Sequence, residues 1–160
     1  MARENIVHTA VGTELVRKLS EAGRHIFTAE EARKIAPSVG ITAGYFRQAL
    51  HHLVRSGWLV RLRKGLYALA GSVPGAAPVH EFQIAMKLVE PAAISHWSAM
   101  NYHRLTEQSS RHVFVLTSSR SIPRKRRSAT ERAGSVQGEG LMVGETVYRF
   151  VQVKPDRFFG

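Results

Sequence analysis

One stretch, Thr42 to Leu69, reading TAGYFRQALHHLVRSGWLVRLRKGLYAL, restricts the fold more than any other part of the chain. Phe46, Ala49, Leu50 and Leu53 recur at helical spacing and give one apolar stripe. At about 100° per residue, Tyr45, Gln48, His51, His52 and Arg55 turn away from that stripe, with Arg47 at its border. Thr42 is expected to cap the helix and Ser56-Gly57 to end it. Two β-prone runs follow, Trp58 to Leu62 and Leu66 to Leu69, and the intervening Arg63-Lys64-Gly65 reads as a tight hairpin with glycine at the turn.

A helix followed by a basic hairpin is the order of a winged helix-turn-helix. Between Thr42 and Tyr67 stand Arg47, Arg55, Arg61, Arg63 and Lys64 and no acidic residue, a footprint for a polyanion. A basic amphipathic helix alone is ordinarily a solvated face; the cations at a hairpin tip are what set this one apart. The residues expected to contact DNA are Thr42, Tyr45, Arg47, Gln48, His51, His52, Arg55, Arg61, Arg63 and Lys64. Tyr45, Arg47 and Gln48, near the helix start, are expected to read bases, and Arg63 and Lys64 to hold phosphate or the minor groove.

Upstream, Val11, Leu15, Leu19 and Ala22 mark a first helix ending at Gly23. Thr28 and Glu31 form a capping box opening a second helix, with Ala32, Ile35 and Ala36 inward and a break at Pro37. Three helices and a hairpin complete a domain over residues 1–70. Residues 71–78, GSVPGAAP from Gly71 to Pro78 in sequence, have the composition of a linker, leaving 79–160 as a second domain. There Phe82, Met86 and Val89 outline a helix closed by Glu90-Pro91, and Ile94 to Leu105 another, with Trp97, Met100 and Leu105 as core contacts. His112 to Leu116 and Thr146 to Val153 read as paired strands. The fold class is α+β: an N-terminal winged helix-turn-helix followed by a small mixed α/β domain.

Ser118 to Gly140 is poor in apolar residues and reads as an exposed loop carrying a candidate second basic patch, Arg120, Arg124, Lys125, Arg126 and Arg127. The RKRR run has three readings: a second grip on DNA phosphates, a site for an acidic or RNA-bearing partner, or a solvated loop. The terminal Phe158-Phe159 either docks on the second domain or belongs to a longer design.

Lys and Arg total 23 against 12 acidic residues, a net charge of +11, which points to phosphate-rich partners. No cysteine is present, so disulfide and thiolate chemistry are excluded and a reducing cytoplasm suits the chain. No apolar run follows Arg3 and Glu4, and none reaches membrane-spanning length, so neither a signal peptide nor a membrane partner is expected. His96 and His103 share a helix face, but no third ligand stands at metal-site spacing, so no metal is expected. Gly138, Gly140 and Gly144 give GxGxxxG ahead of a strand, unlike a dinucleotide fingerprint, and Ser135 lacks a nucleophile elbow. Catalytic residues and cofactors are therefore expected to be none.

Two stretches resemble the AbiEi family, the antitoxins of type IV toxin-antitoxin systems: the ending VRSGWLVRLRKGLYAL of the first domain, and AISHWSAMNYHRLTEQ followed by HVFVLTS in the second. Ser95, Ser98, Ala99, Leu105, Thr106 and Gln108 fall as in that family's second domain, and PDRFFG is similar to one of its recurring elements. The resemblance implies a DNA-binding autorepressor that occupies inverted repeats in its own promoter. It also implies a C-terminal domain that counters a nucleotidyltransferase-like toxin. Family members usually continue beyond an FFG-like element, so the usual C-terminal continuation is expected to be lacking. The competing expectation is a protein-interaction module that binds a toxin or other partner without reading DNA.

Overall fold

A computed structural model of the chain describes residues 2–71, 79–107, 111–123 and 140–158. The chain divides into two compact units, Met1–Val79 and His80–Gly160. The class is α+β.

The first unit is built around α3, Phe46–Arg55, whose Phe46, Ala49, Leu50 and Leu53 are all buried as their spacing requires. They meet Leu15, Val16 and Leu19 of α1, Ala2–Glu21, and Ala32 of α2, Ala29–Ile35. Burying a side chain such as Phe46 or Leu50 contributes about 1.5–3 kcal/mol, so this cluster holds the unit together. α1 lies close to α3 at Gly12, where an added Cβ would sit 3.2 Å from Leu53 Cδ2. Gly57, at φ +78°, ends α3, with the Gly57 and Trp58 amides donating back to Val54 and Leu53 as expected of a glycine C-cap.

The capping box at α2 is present. The Glu31 amide donates to Thr28 Oγ1 at 3.2 Å, and the Thr28 amide donates to the Glu31 carboxylate at 2.7 Å. That backbone N–H, then the Thr28 hydroxyl and the Arg24 guanidinium, hold the Glu31 carboxyl below its ordinary value. Because the folded value is depressed, the associated stability is present above the ordinary carboxylate range and is lost as pH falls through the depressed value. Thr28→Ala should cost about 1 kcal/mol in denaturant unfolding at neutral pH. The deficit relative to the parent should shrink in acid, as the Glu31 contact is lost from both.

The wing is a three-stranded antiparallel sheet in the order β1-β3-β2, with β1 Ile26–Thr28, β2 Leu59–Arg63 and β3 Leu66–Leu69. β1 is too short for sequence periodicity to reveal; it is fixed by its partner, Phe27 lying opposite Tyr67 with their rings stacked 6.1 Å apart. The hairpin turn is two residues, Lys64-Gly65, with Gly65 at φ +78°, and Arg63 belongs to the strand.

Other expectations in this unit need correction. Pro37 does not break α2 outright, since the chain continues as a 3-10 turn, Ala36–Val39, with proline in the first turn where no amide donor is required. Thr42 does not cap α3 with its side chain: α3 starts four residues later, and the Thr42 carbonyl accepts from the Tyr45 and Phe46 amides. Ala22 lies exposed just beyond the end of α1.

The second unit holds a four-stranded sheet in the order β4-β5-β7-β6: β4 Ala93–Ile94, β5 His112–Thr117, β6 Leu141–Val143 and β7 Thr146–Gln152. β5 and β7 pair in parallel, and the other pairs are antiparallel. α4, Glu81–Leu88, buries Ala85 and Leu88; of the residues expected inward, Val89 just past its end is buried and Phe82 half-buried, but Met86 is exposed. Val113, Val115 and Thr117 are buried on alternate positions of β5, beside Tyr148 of β7. Burial, with the Glu81 carboxylate adding to it, pushes the Tyr148 phenol up, so it stays neutral.

α5, His96–Tyr102, is shorter than expected, and Trp97, Met100 and Leu105 are not core contacts. Trp97 is 50% exposed and Leu105 71%. The buried residue of α5 is instead Ser98, whose hydroxyl donates to the His112 carbonyl at 3.1 Å and accepts from the Phe114 amide at 3.0 Å. β4 pairs only as far as Val115, so Ser98 completes the ladder where that strand has ended. Ser98→Ala should lower the stability of this unit by about 1–2 kcal/mol, measured by denaturant unfolding, because two backbone groups lose their partner.

Candidate nucleic-acid interface

α3 turns its polar face outward as the pattern requires: Arg47, Gln48, His51, His52 and Arg55 are exposed, as are Thr42, Arg61, Arg63 and Lys64. Tyr45 differs. It precedes the first turn of α3, is half-buried and packs against the core cluster, because the later helix start leaves its ring beside the helix and not along its outer face.

Between α3 and the wing lies a cleft of about 610 Å³. Arg47 and His51 of α3 meet Arg61 and Lys64 of the wing on its walls, and Phe46, Leu50 and Tyr67 contribute apolar surface. Among the described residues no carboxylate lines it. Of the expected contact residues, the cleft brings these four together; Thr42, Tyr45, Gln48, His52, Arg55 and Arg63 lie outside its lining.

The wing contribution depends on a bulge. Arg61 lies opposite Tyr67 and Arg63 opposite Leu66, so the register shifts between the two arginines and Leu62 is the extra residue. In consequence Arg61 joins Lys64 in the cleft and Arg63 does not. The sequence reading grouped Arg63 with Lys64 because it placed both at the hairpin tip, whereas Arg63 ends β2.

Arg33 was missed altogether. It sits on α2, outside the basic stretch, yet it lines the same cleft, with its guanidinium carbon 5.3 Å from the centroid of the Phe46 ring. In sequence it is one cation beside another, Lys34, on a helix that also carries Glu30 and Glu31.

The N-terminus of α3 carries no acidic residue in its first turn, so its positive dipole end is not offset locally. With α3 starting at Phe46, Arg47 and Gln48 stand in that first turn.

In the second unit Arg120 is exposed just beyond β5, while Arg124, Lys125, Arg126 and Arg127 lie outside the described residues. The His96 ring lies tilted against Phe114, centroids 5.5 Å apart, with Nδ1 2.9 Å from Ser95 Oγ, and His103 packs edge-on to Tyr102. Among the described residues no three His, Asp or Glu side chains come together as metal ligands, and no helix is long and apolar enough to cross a membrane.

None of the curated proteins compared with the chain matches it. Residues 14–70 match the family model described as transcriptional regulator, AbiEi antitoxin. That span runs from Glu14 in α1 through α2, α3 and the wing to Ala70, so the likeness to the AbiEi antitoxin family of transcriptional regulators lies in the N-terminal unit.

Proposed function

We propose that this chain is a sequence-specific DNA-binding autorepressor and antitoxin of a type IV toxin-antitoxin system, acting in the cytoplasm. Residues 1–70 are the DNA-binding domain, 71–78 a linker and 79–160 the antitoxin-type domain. The observation that carries the reading is the concentration of Arg47, Arg61, Lys64 and His51 around one carboxylate-free cleft beside an exposed basic helix. Its target is double-stranded DNA with inverted repeats in its own promoter. α3 enters the major groove and the wing holds the backbone. No step of this activity calls for a catalytic residue, metal or cofactor.

The toxin-facing role of the second unit rests on the likeness of its sequence to the family, and the expected partner is a nucleotidyltransferase-like toxin. Trp97, Tyr102 and Leu105, at 50%, 67% and 71% exposure within nine residues of sequence, offer apolar surface that a partner could cover. The same three residues favour the second reading, a protein-interaction module without DNA readout. Titration of the full chain against its own upstream DNA at several salt concentrations separates the two. Affinity that falls steeply with salt and exceeds that for unrelated duplex supports the repressor; equal, weak binding to all duplexes supports the module.

A further inference from the structure

We infer that the cleft between α3 and the wing seats a backbone phosphate of bound DNA, and that Arg33 of α2 is a further contact to that phosphate. The inference rests on the DNA-binding reading and deepens it.

Four permanent cations, Arg33, Arg47, Arg61 and Lys64, line one cleft with no carboxylate among them. Like charges converging on a shared space repel unless an anion lies between them. Two exposed arginines elsewhere in this unit are neutralised locally, Arg17 by Glu14 and Glu21 and Arg24 by Glu31, so the convergence of the cleft cations, and not the lack of a pair alone, sets them apart. Arg33 makes no ion pair among the described residues, and the cation it holds is directed to the cleft.

Its position is fixed from two sides. The Ala29 amide donates to the Gly65 carbonyl at 2.8 Å, which ties the start of α2 to the wing turn. Arg33 is one helical turn further along α2, on the same side as Ala29, and both residues line the cleft. The Phe46 ring, 5.3 Å from the guanidinium carbon, then restrains the head group by cation–π attraction while leaving its donors available. A guanidinium held in this way loses less freedom on meeting a phosphate than a free side chain would. The apolar surface of Phe46, Leu50 and Tyr67 suits a sugar beside the phosphate better than a second charge.

The neighbouring Lys34 supplies the control. It is exposed and carries the same charge one residue away, but it does not line the cleft.

The test is fluorescence anisotropy of the full chain on a labelled duplex of its own upstream region, over a salt series. Arg33→Met keeps an aliphatic stem against Phe46 and removes the charge, and a thermal melt checks that it is folded. Loss of one phosphate contact should flatten the plot of log affinity against log salt by about 0.9, equivalent to roughly five- to eight-fold weaker binding near 0.1–0.15 M salt. Arg33→Lys should keep the parental slope, and so should Lys34→Met. An unchanged slope in folded Arg33→Met, or an equal loss in Lys34→Met, overturns the assignment while leaving the repressor reading standing. A parent chain that binds no duplex in a salt-dependent way overturns both. Should Arg33→Met not fold, Arg33→Gln takes its place, a slope flattened by about 0.9 supporting the contact and a parental slope overturning it.

Discussion

Replacing Arg61 and Lys64 together by alanine should weaken binding to every duplex alike, own promoter or not, by roughly 30- to 60-fold near 0.1–0.15 M salt. The plot of log affinity against log salt should flatten by about 1.8, twice the value for one released counterion. Both side chains reach the cleft from the wing, one from the strand at the bulge and one from the turn, and both are exposed. Contacts of that kind position a protein on the backbone and carry little sequence information. The companion variant Arg63→Ala should lose less than either single change in the pair, because the register shift turns Arg63 out of the cleft. A double variant with the parental salt slope would show that the wing does not touch DNA.

The N-terminal fold was readable because its signals are local and strong. Phe46, Ala49, Leu50 and Leu53 sit at helical spacing and are all buried; the Thr28–Glu31 capping box and the Gly57 stop depend on residues within one turn of one another. What escaped the sequence was set by partners distant along the chain. β1 exists because β3 pairs with it, and three residues carry no periodicity of their own. The start of α3 moved from Thr42 to Phe46 because the Thr42 carbonyl, and not its hydroxyl, takes the first amides.

The lining of the cationic cleft was only partly legible, for the same reason. Charge counting found Arg47, His51, Arg61 and Lys64, which the fold does bring together. It missed Arg33, whose place in the cleft depends on the Ala29–Gly65 hydrogen bond, a contact between residues 36 apart in sequence (65 − 29). In the second unit the apolar residues of α5 were assigned to a core by spacing alone. Ser98, a polar residue that no periodicity argument selects, holds the buried position because β5 needs its hydroxyl. Trp97 and Leu105 are left exposed.

Base discrimination should reside in Gln48 and Arg47, and there the expected effect is on specificity. Both are exposed in the first turn of α3, the part of a recognition helix that enters the major groove most deeply. Gln48 has the paired donor and acceptor that match adenine, and Arg47 the forked donors that match guanine. Gln48→Ala should change preference among operator variants by about 1–3 kcal/mol at a single base pair, with little change on unrelated duplex. Arg47→Ala should do two things, since Arg47 also lines the cleft: relax the choice at its own base pair by a similar amount and flatten the salt slope by up to about 0.9. Tyr45 is half-buried against the core, so Tyr45→Ala should lower stability more than it alters base preference, in contrast to what its place in the sequence implied. Competition binding across a panel of single-base operator variants measures all three. If Gln48→Ala loses the same affinity on every duplex, Gln48 touches the backbone, and the base-reading face of α3 has to be sought further along the helix, at His51, His52 and Arg55.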